Sequence, residues 1–350
     1  MFRTHSFRRR RRFVAAAILA AAAAGLTACA DSGGSGSEEG TIVFQPATES
    51  MAVLTQLGAF ASDAFEEAGL DVEYNTPIPN AAQAAQSVTT GADIAIVGSS
   101  GVLPGVEAGR DMVTVATLTK GPTTQITLRD DVIEKLGIGD DASTEEKIKA
   151  MKGLKLALPQ PGSLTDVVTR EALRLYGIDA DKDMTIRPIT EPSALVTAVR
   201  EGQVDGFAFS APTSVQPVAE GYGSVWLTLD QVPELADLPY IDVVTSKTFL
   251  EERRDDVVAF VKVLKESSEQ LADDPDAVKG LVKDTYFADL DQSIFDLAWS
   301  FSLPTAQRGI EPSEEGFDAL ITMTENQTGE KVDVAFDDVY DLSVLEELGG

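Results

Sequence analysis

Short runs of consecutive apolar residues alternate along this chain with longer stretches in which apolar positions recur every three or four residues. The first pattern predicts buried strands and the second amphipathic helices. A strand is predicted at 41–45, then a helix over 51–68 with Leu54, Leu57, Phe60 and Phe65 on its buried side and Gly69 at its end. A strand at 70–74, a small-residue helix at 80–89 and the turn residues Gly91 and Asp93 lead to the strand Ile94-Ala95-Ile96-Val97. Gly98-Ser99-Ser100-Gly101 closes that strand and opens another helix. The order then repeats: strand 154–158, turn Pro159-Gln160-Pro161-Gly162, helix 163–176 ended by Gly177, strand 184–188, helix 193–200, Gly202, Asp205 and strand 206–209. Ser210-Ala211-Pro212-Thr213 ends the second unit. Asp93 and Asp205 are 112 residues apart, far more than a solenoid period, and two βαβαβ lobes account for the spacing.

Strands alternating with helices predict an α/β fold of largely parallel sheets with helices on both faces. The unbroken apolarity of 94–97 suits a strand covered on both sides. The chain should cross between lobes twice, near 119–128 and near 237–244. Helical periodicity in 249–270, 277–290 and 295–302 then completes the first lobe. Domain I is read as 41–125 plus 238–350, and domain II as 126–237.

Ligands of open parallel sheets bind beyond the carboxyl ends of the strands. Those ends supply the candidate ligand contacts: Gln45, Thr48, Glu49 and Ser50, then Ser99 and Ser100, Gly162 and Ser163, and Ser210 and Pro212. Each loop combines small residues with a hydroxyl or amide at a helix start, whose free N–H groups attract an oxygen. Ser163 and Asp166 also have the spacing of a capping box, and Ser50 and Ser193 carry the same double reading. Asp93 and Asp205 begin their strands and read as turn residues. Lys120, near the first crossover, is either a partner for a sulfonate, carboxylate or phosphate or a surface lysine. Tyr240, at the return crossover, is a candidate to stack on a ligand ring. Trp226 and Trp299 read as packing residues.

The N-terminal end has a different character. Residues 1–28 hold six arginines, the only histidine (His5) and no acid, followed by a mostly alanine run at 13–26. That run is shorter than the roughly 20 residues of a membrane-spanning helix, and the pattern is that of an export signal. Leu26-Thr27-Ala28-Cys29 resembles a bacterial lipobox, making Cys29 the expected lipidation site and 1–28 a lipoprotein signal peptide. Acyl chains anchor by burying CH₂ groups at about 0.8 kcal/mol each. Residues 29–40, rich in glycine, serine and acid, are expected to form a flexible tether. Beyond residue 28, 22 basic and 57 acidic residues leave a formal charge of −35. Such a surface repels nucleic acid. Without a histidine or free thiol the mature chain lacks the usual neutral-pH base and a cysteine nucleophile. No catalytic residue, metal site or cofactor is predicted.

Three segments carry a family resemblance. Met151-Lys152-Gly153-Leu154-Lys155-Leu156-Ala157-Leu158-Pro159-Gln160-Pro161-Gly162-Ser163 is similar to the opening of domain II in the substrate-binding proteins of nitrate/sulfonate/taurine-type importers, including their thiamine-pyrimidine-precursor relatives. Val199-Arg200-Glu201-Gly202-Gln203-Val204-Asp205-Gly206 and its counterpart Thr90-Gly91-Ala92-Asp93-Ile94-Ala95 match a second motif of that group. The resemblance covers roughly 41–330 and implies a two-lobed periplasmic-binding-protein fold, type 2, with two crossover connections. It implies an ABC-importer component that captures a small molecule, sulfonate-like or a pyrimidine or other heterocycle, and presents it to permease subunits with their ATPase. The protein is then expected on the extracytoplasmic face of the cell membrane, held through Cys29, and monomeric. Glu49 departs from an anion-binding loop and favours an organic or mixed-charge ligand. A sensory binding lipoprotein and an enzyme of the thiamine-pyrimidine-precursor type are the alternatives.

Overall fold

A computed structural model describes residues 40–349, except Pro79 and Asp140. The arginine-rich head, the alanine run, Cys29 and the tether up to residue 39 lie outside the described residues. Among the described residues ten strands form two sheets: β1 (Thr41–Pro46), β2 (Asp71–Tyr74), β3 (Ile94–Gly98), β4 (Val113–Lys120), β5 (Thr124–Arg129), β6 (Lys155–Leu158), β7 (Thr185–Pro188), β8 (Gly206–Ser210), β9 (Gly223–Thr228) and β10 (Pro239–Thr245). The first sheet has the order β2-β1-β3-β10-β4 and the second β7-β6-β8-β5-β9.

The expectation of largely parallel sheets is corrected in one respect. β1 pairs in parallel with β2 and β3, and β6 with β7 and β8. β10 is antiparallel to β3 and β4, and β5 is antiparallel to β8 and β9. The reason is the path of the chain. β4 ends at Lys120 and β5 begins at Thr124, so the chain enters the second sheet from the end at which β6 and β8 finish. It can only run against them. β10 returns to the first sheet under the same constraint.

Both sheets use the same lock at the opposite end. The Asp93 amide donates to Val43 O at 2.8 Å while Asp93 Oδ2 accepts the Val43 amide at 2.7 Å. The Asp205 amide donates to Lys155 O at 2.8 Å while Asp205 Oδ2 accepts the Lys155 amide at 2.8 Å. Each aspartate thus fixes the helix-to-strand turn against the neighbouring parallel strand, which explains why the same residue stands at equivalent positions in both lobes.

The core is apolar on both sides of each sheet. Every residue of β3 is buried. Phe44 of β1 stacks on Phe60 (centroids 4.9 Å apart) and meets Phe260 of the helix Arg254–Asp273 at 5.6 Å, so that part of the C-terminal tail packs into the first lobe. Ala157, Leu195, Val199 and Phe207 make a separate apolar cluster in the second lobe. Trp226 is buried, its indole N–H donating to Lys147 O, and Trp299 packs against Phe295.

Two helices are shorter than the sequence periodicity suggests. The stretch 51–68 divides into a 3₁₀ turn Met51–Val53 and helices Leu54–Ala61 and Ala64–Glu67. Ser62 causes the break: its hydroxyl bonds back to Gly58 O and Ala59 O, and its backbone turns extended. The stretch 249–270 is likewise divided at Arg253, between helices Lys247–Glu252 and Arg254–Asp273. The helix Glu314–Thr328 reaches beyond the first lobe, Asn326 Nδ2 donating to both oxygens of Glu171 at 3.3 and 3.4 Å.

Asp205→Ala should lower the unfolding free energy by about 2 kcal/mol, the range for a hydrogen bond to a charged acceptor. Chemical denaturation checks this; an unchanged midpoint would mean the turn holds without its carboxylate.

Candidate ligand site at the lobe junction

The carboxyl ends of β1, β3, β6 and β8 converge where the chain crosses between the sheets. At the centre of this junction lies Tyr240, on β10 and only 3% exposed. Its hydroxyl is 3.2 Å from Thr124 Oγ1, and Thr123 Oγ1 is 3.0 Å from Ser210 Oγ. Thr165, on the helix Leu164–Leu175, is also close enough to lower the Tyr240 pKa. These residues come from both sheets and from a crossover. Thr124 and Ser210 face each other as register partners of β5 and β8. Burial pushes the Tyr240 phenol above its usual range, and the surrounding hydroxyls only partly oppose this. The cluster therefore stays neutral, and each hydroxyl can donate and accept.

The helix Leu164–Leu175 points its first turn at the first sheet. A Cβ built on Gly98 would lie 3.4 Å from Leu164 Cδ2, which places the helix start against the tip of β3. Ser163 Oγ accepts the Asp166 amide at 3.3 Å. The carboxylate does not return to the Ser163 amide, as in a full capping box, because that amide is bonded to Gln160 O at 3.1 Å. Asp166 Oδ2 instead accepts the Gly162 amide at 2.9 Å, and Oδ1 accepts Arg170 Nε at 2.8 Å. A buried carboxylate thus occupies the start of this helix.

Beneath the tip of β3 is a second polar group that the sequence reading passed over. Asp242 of β10 is fully buried; its Oδ1 accepts Thr117 Oγ1 at 2.7 Å and its Oδ2 accepts the Tyr340 hydroxyl at 3.3 Å. Ser99 Oγ makes no hydrogen bond of good geometry, yet this hydroxyl is close enough to lower the Asp242 pKa. Burial dominates and pushes the carboxyl up to about 7.

The candidate residues fall in different surroundings. Ser210 and Tyr240 lie in the hydroxyl cluster, and Gly162 and Ser163 adjoin it at the helix start. The β1 loop is engaged largely with itself: Gln45 Nε2 donates to Pro46 O and Thr76 O, Thr48 Oγ1 accepts the Ser50 amide, and Ser50 Oγ accepts the Ala52 amide. Glu49 is exposed beside Tyr74 and Tyr286; burial is the main cause of the upward shift of both phenols, and Glu49 adds to it. Ser99 is buried beside Asp242, with Ser100 half-buried next to it. Lys120 is half-buried at the end of β4, where its carbonyl is an acceptor, and Pro212 follows Ala211 through a cis peptide bond. Thr123, Thr124 and Thr165 were missed; the Gly121-Pro122 turn directly before the two threonines was the available signal.

Two open grooves lie elsewhere. One of about 480 Å³, lined by Glu107, Arg110, Asp111, Lys247 and Asp333, is at the far end of the first sheet. One of about 440 Å³, near Arg187 and Ser193, is at the outer edge of the second. Neither includes a strand tip that faces the other lobe. Among the described residues no group of three or more His, Cys, Asp or Glu is placed to hold a metal ion, and no helix is long and apolar enough to cross a membrane.

Residues 37–283 match the NMT1-like family. The chain belongs to that family. Among similar proteins, YtlA of Bacillus subtilis (strain 168) is 22% identical over 228 residues, which are 63% of this chain and 64% of YtlA. The periplasmic aliphatic sulphonate-binding protein SsuA of Escherichia coli superposes with a TM-score of 0.66 at 16% identity, over 87% of this chain and 99% of SsuA. The periplasmic nitrate-binding protein NrtA of Synechocystis PCC 6803 superposes with a TM-score of 0.62 at 15% identity, over 88% of each chain. This NMT1-like chain accordingly has the two-lobed α/β architecture of periplasmic binding proteins, type 2.

A pH dependence follows from Asp242. Its folded pKa of about 7 lies above the unfolded value, so the folded state keeps a proton that the unfolded chain releases. That contribution is complete below about pH 4 and is lost as pH rises through about 7. Asp242→Asn keeps the shape without titrating. Between pH 5 and 8 the variant should gain about 3 kcal/mol of stability relative to the parent. Denaturation curves at both pH values check this; a constant difference would mean that Asp242 is charged throughout.

Proposed function

We propose that this protein is the extracytoplasmic solute-binding component of an ABC importer, closing its two lobes over a small uncharged organic molecule. The observation that carries this reading is the hydroxyl cluster around Tyr240, assembled from both sheets where facing strand ends meet. The resemblance to binding proteins for sulphonates and nitrate supports capture between lobes. In this reading domain I is 41–125 plus 238–350 and domain II 126–237, and the closed protein delivers its solute to permease subunits with their ATPase. The arginine-rich head, short apolar run and Leu26-Thr27-Ala28-Cys29 support export and lipid anchoring through Cys29 at the outer face of the membrane. The binding unit acts as a monomer.

Between a sulfonate-like solute and a neutral heterocycle, Asp166 favours the second. A helix start with free amides attracts an anion, but here the Gly162 amide and the Arg170 guanidinium are both engaged by the protein's own buried carboxylate. Glu49 and the formal charge of −35 beyond residue 28 add long-range repulsion of anions. Hydroxyls that both donate and accept suit ring nitrogens, amides and carbonyls.

The test is a thermal-shift panel of nitrate, alkanesulfonates, pyrimidines and neutral heterocyclic amides, with calorimetry on each hit. A neutral heterocycle should raise the melting temperature, and Tyr240→Phe should weaken its binding about tenfold, equivalent to about 1.4 kcal/mol. Tight binding of a sulfonate would overturn the solute class and leave the importer reading intact. Steady turnover of a hit would overturn the binding-protein reading itself.

A further inference from the structure

The turn between the helices Gln292–Ala306 and Glu314–Thr328 is fastened to the first lobe. Gln307 Nε2 donates to Leu271 O at 2.8 Å, and the Thr117 amide of β4 donates to Ile310 O at 2.9 Å. From this turn the Arg308 side chain reaches both segments that join the lobes. Its Nη1 donates to Lys120 O at 3.1 Å, where the first crossover begins, and to Ala236 O at 2.6 Å, just before the return. Its Nη2 donates to Asp230 Oδ2 at 2.9 Å, in the turn that follows β9 of the second lobe. The crossovers are also bonded to each other, Gly121 N to Leu238 O at 2.8 Å.

We propose that Arg308 is the hinge pin of lobe closure: it positions the two crossover segments against each other so that the lobes turn about one axis. A guanidinium presents its donors in one rigid plane, so three acceptors held by it are fixed relative to one another. Two of these acceptors are backbone carbonyls at the covalent connections, which stay close at every lobe angle. A contact such as Asn326 with Glu171 joins lobe surfaces and can part when they separate. Gly121 supports the assignment independently. It adopts φ +77°, and a Cβ there would collide with Arg308 Nη1 and lie 2.8 Å from Ala236 O. The crossover is thus shaped to admit the guanidinium. Arg308 touches none of the hydroxyl cluster, so it acts on binding through the hinge, and the role stands or falls without any ligand.

Amide hydrogen exchange of the ligand-free full-length protein tests this. In Arg308→Gln, exchange over 119–125 and 236–241 should quicken at least tenfold while β3 and β6 keep the parent's protection. Arg308→Lys should fail to restore the parent's rates, because a point charge cannot hold three acceptors in a plane. Unchanged exchange in the hinge of Arg308→Gln would overturn the proposal. So would an equal rise across both sheets, which marks general destabilisation, or full rescue by lysine, which marks a simple charge pair with Asp230.

Discussion

The structure depends on one constraint: the chain passes between its two sheets twice, both times at the end where the parallel strands finish. Everything at the junction follows. β5 and β10 must run against their neighbours, because each enters its sheet from the strand tips. Their first residues, Thr124 and Pro239, are therefore delivered to the junction, and Tyr240 with them. The hydroxyl cluster and the Arg308 contacts lie on neighbouring residues of the same two crossover segments.

The two ends of each sheet serve different purposes. At the far end, Asp93 and Asp205 lock helix-to-strand turns with paired hydrogen bonds. At the near end, glycine, serine and threonine leave polar groups facing across the junction. Part of the charge near that end is matched within the protein: Asp166 is held by Gly162 and Arg170, and Arg308 by Asp230 and two carbonyls.

Much of this was legible in the sequence because it is local. Apolar runs gave the strands, and the Gly–x–Asp or Gly–x–x–Asp spacing before β3 and β8 gave the repeat. Ser163, Ser210 and Tyr240 could be named because they stand at strand ends or at a crossover. The β1 loop stood out for an equally local reason: Thr48 and Ser50 are polar residues at a helix start, and in the structure their hydroxyls accept amides of their own loop. Antiparallel pairing of β5 and β10 was not legible, since strand direction follows from the path of the chain and not from periodicity. Arg308 had no signal at all. It lies in a turn nearly two hundred residues from Lys120, and only tertiary packing brings the two together. Asp242 was hidden within the apolar run Tyr240-Ile241-Asp242-Val243-Val244, where one carboxylate does not disturb a strand assignment.

Small-angle scattering tests the central claim most directly, on the protein alone and when saturated with a solute that calorimetry shows to bind. Two halves turning about the paired crossovers predict a smaller radius of gyration and a shorter maximum dimension in the bound form. Superimposable profiles at saturation would contradict capture by closure.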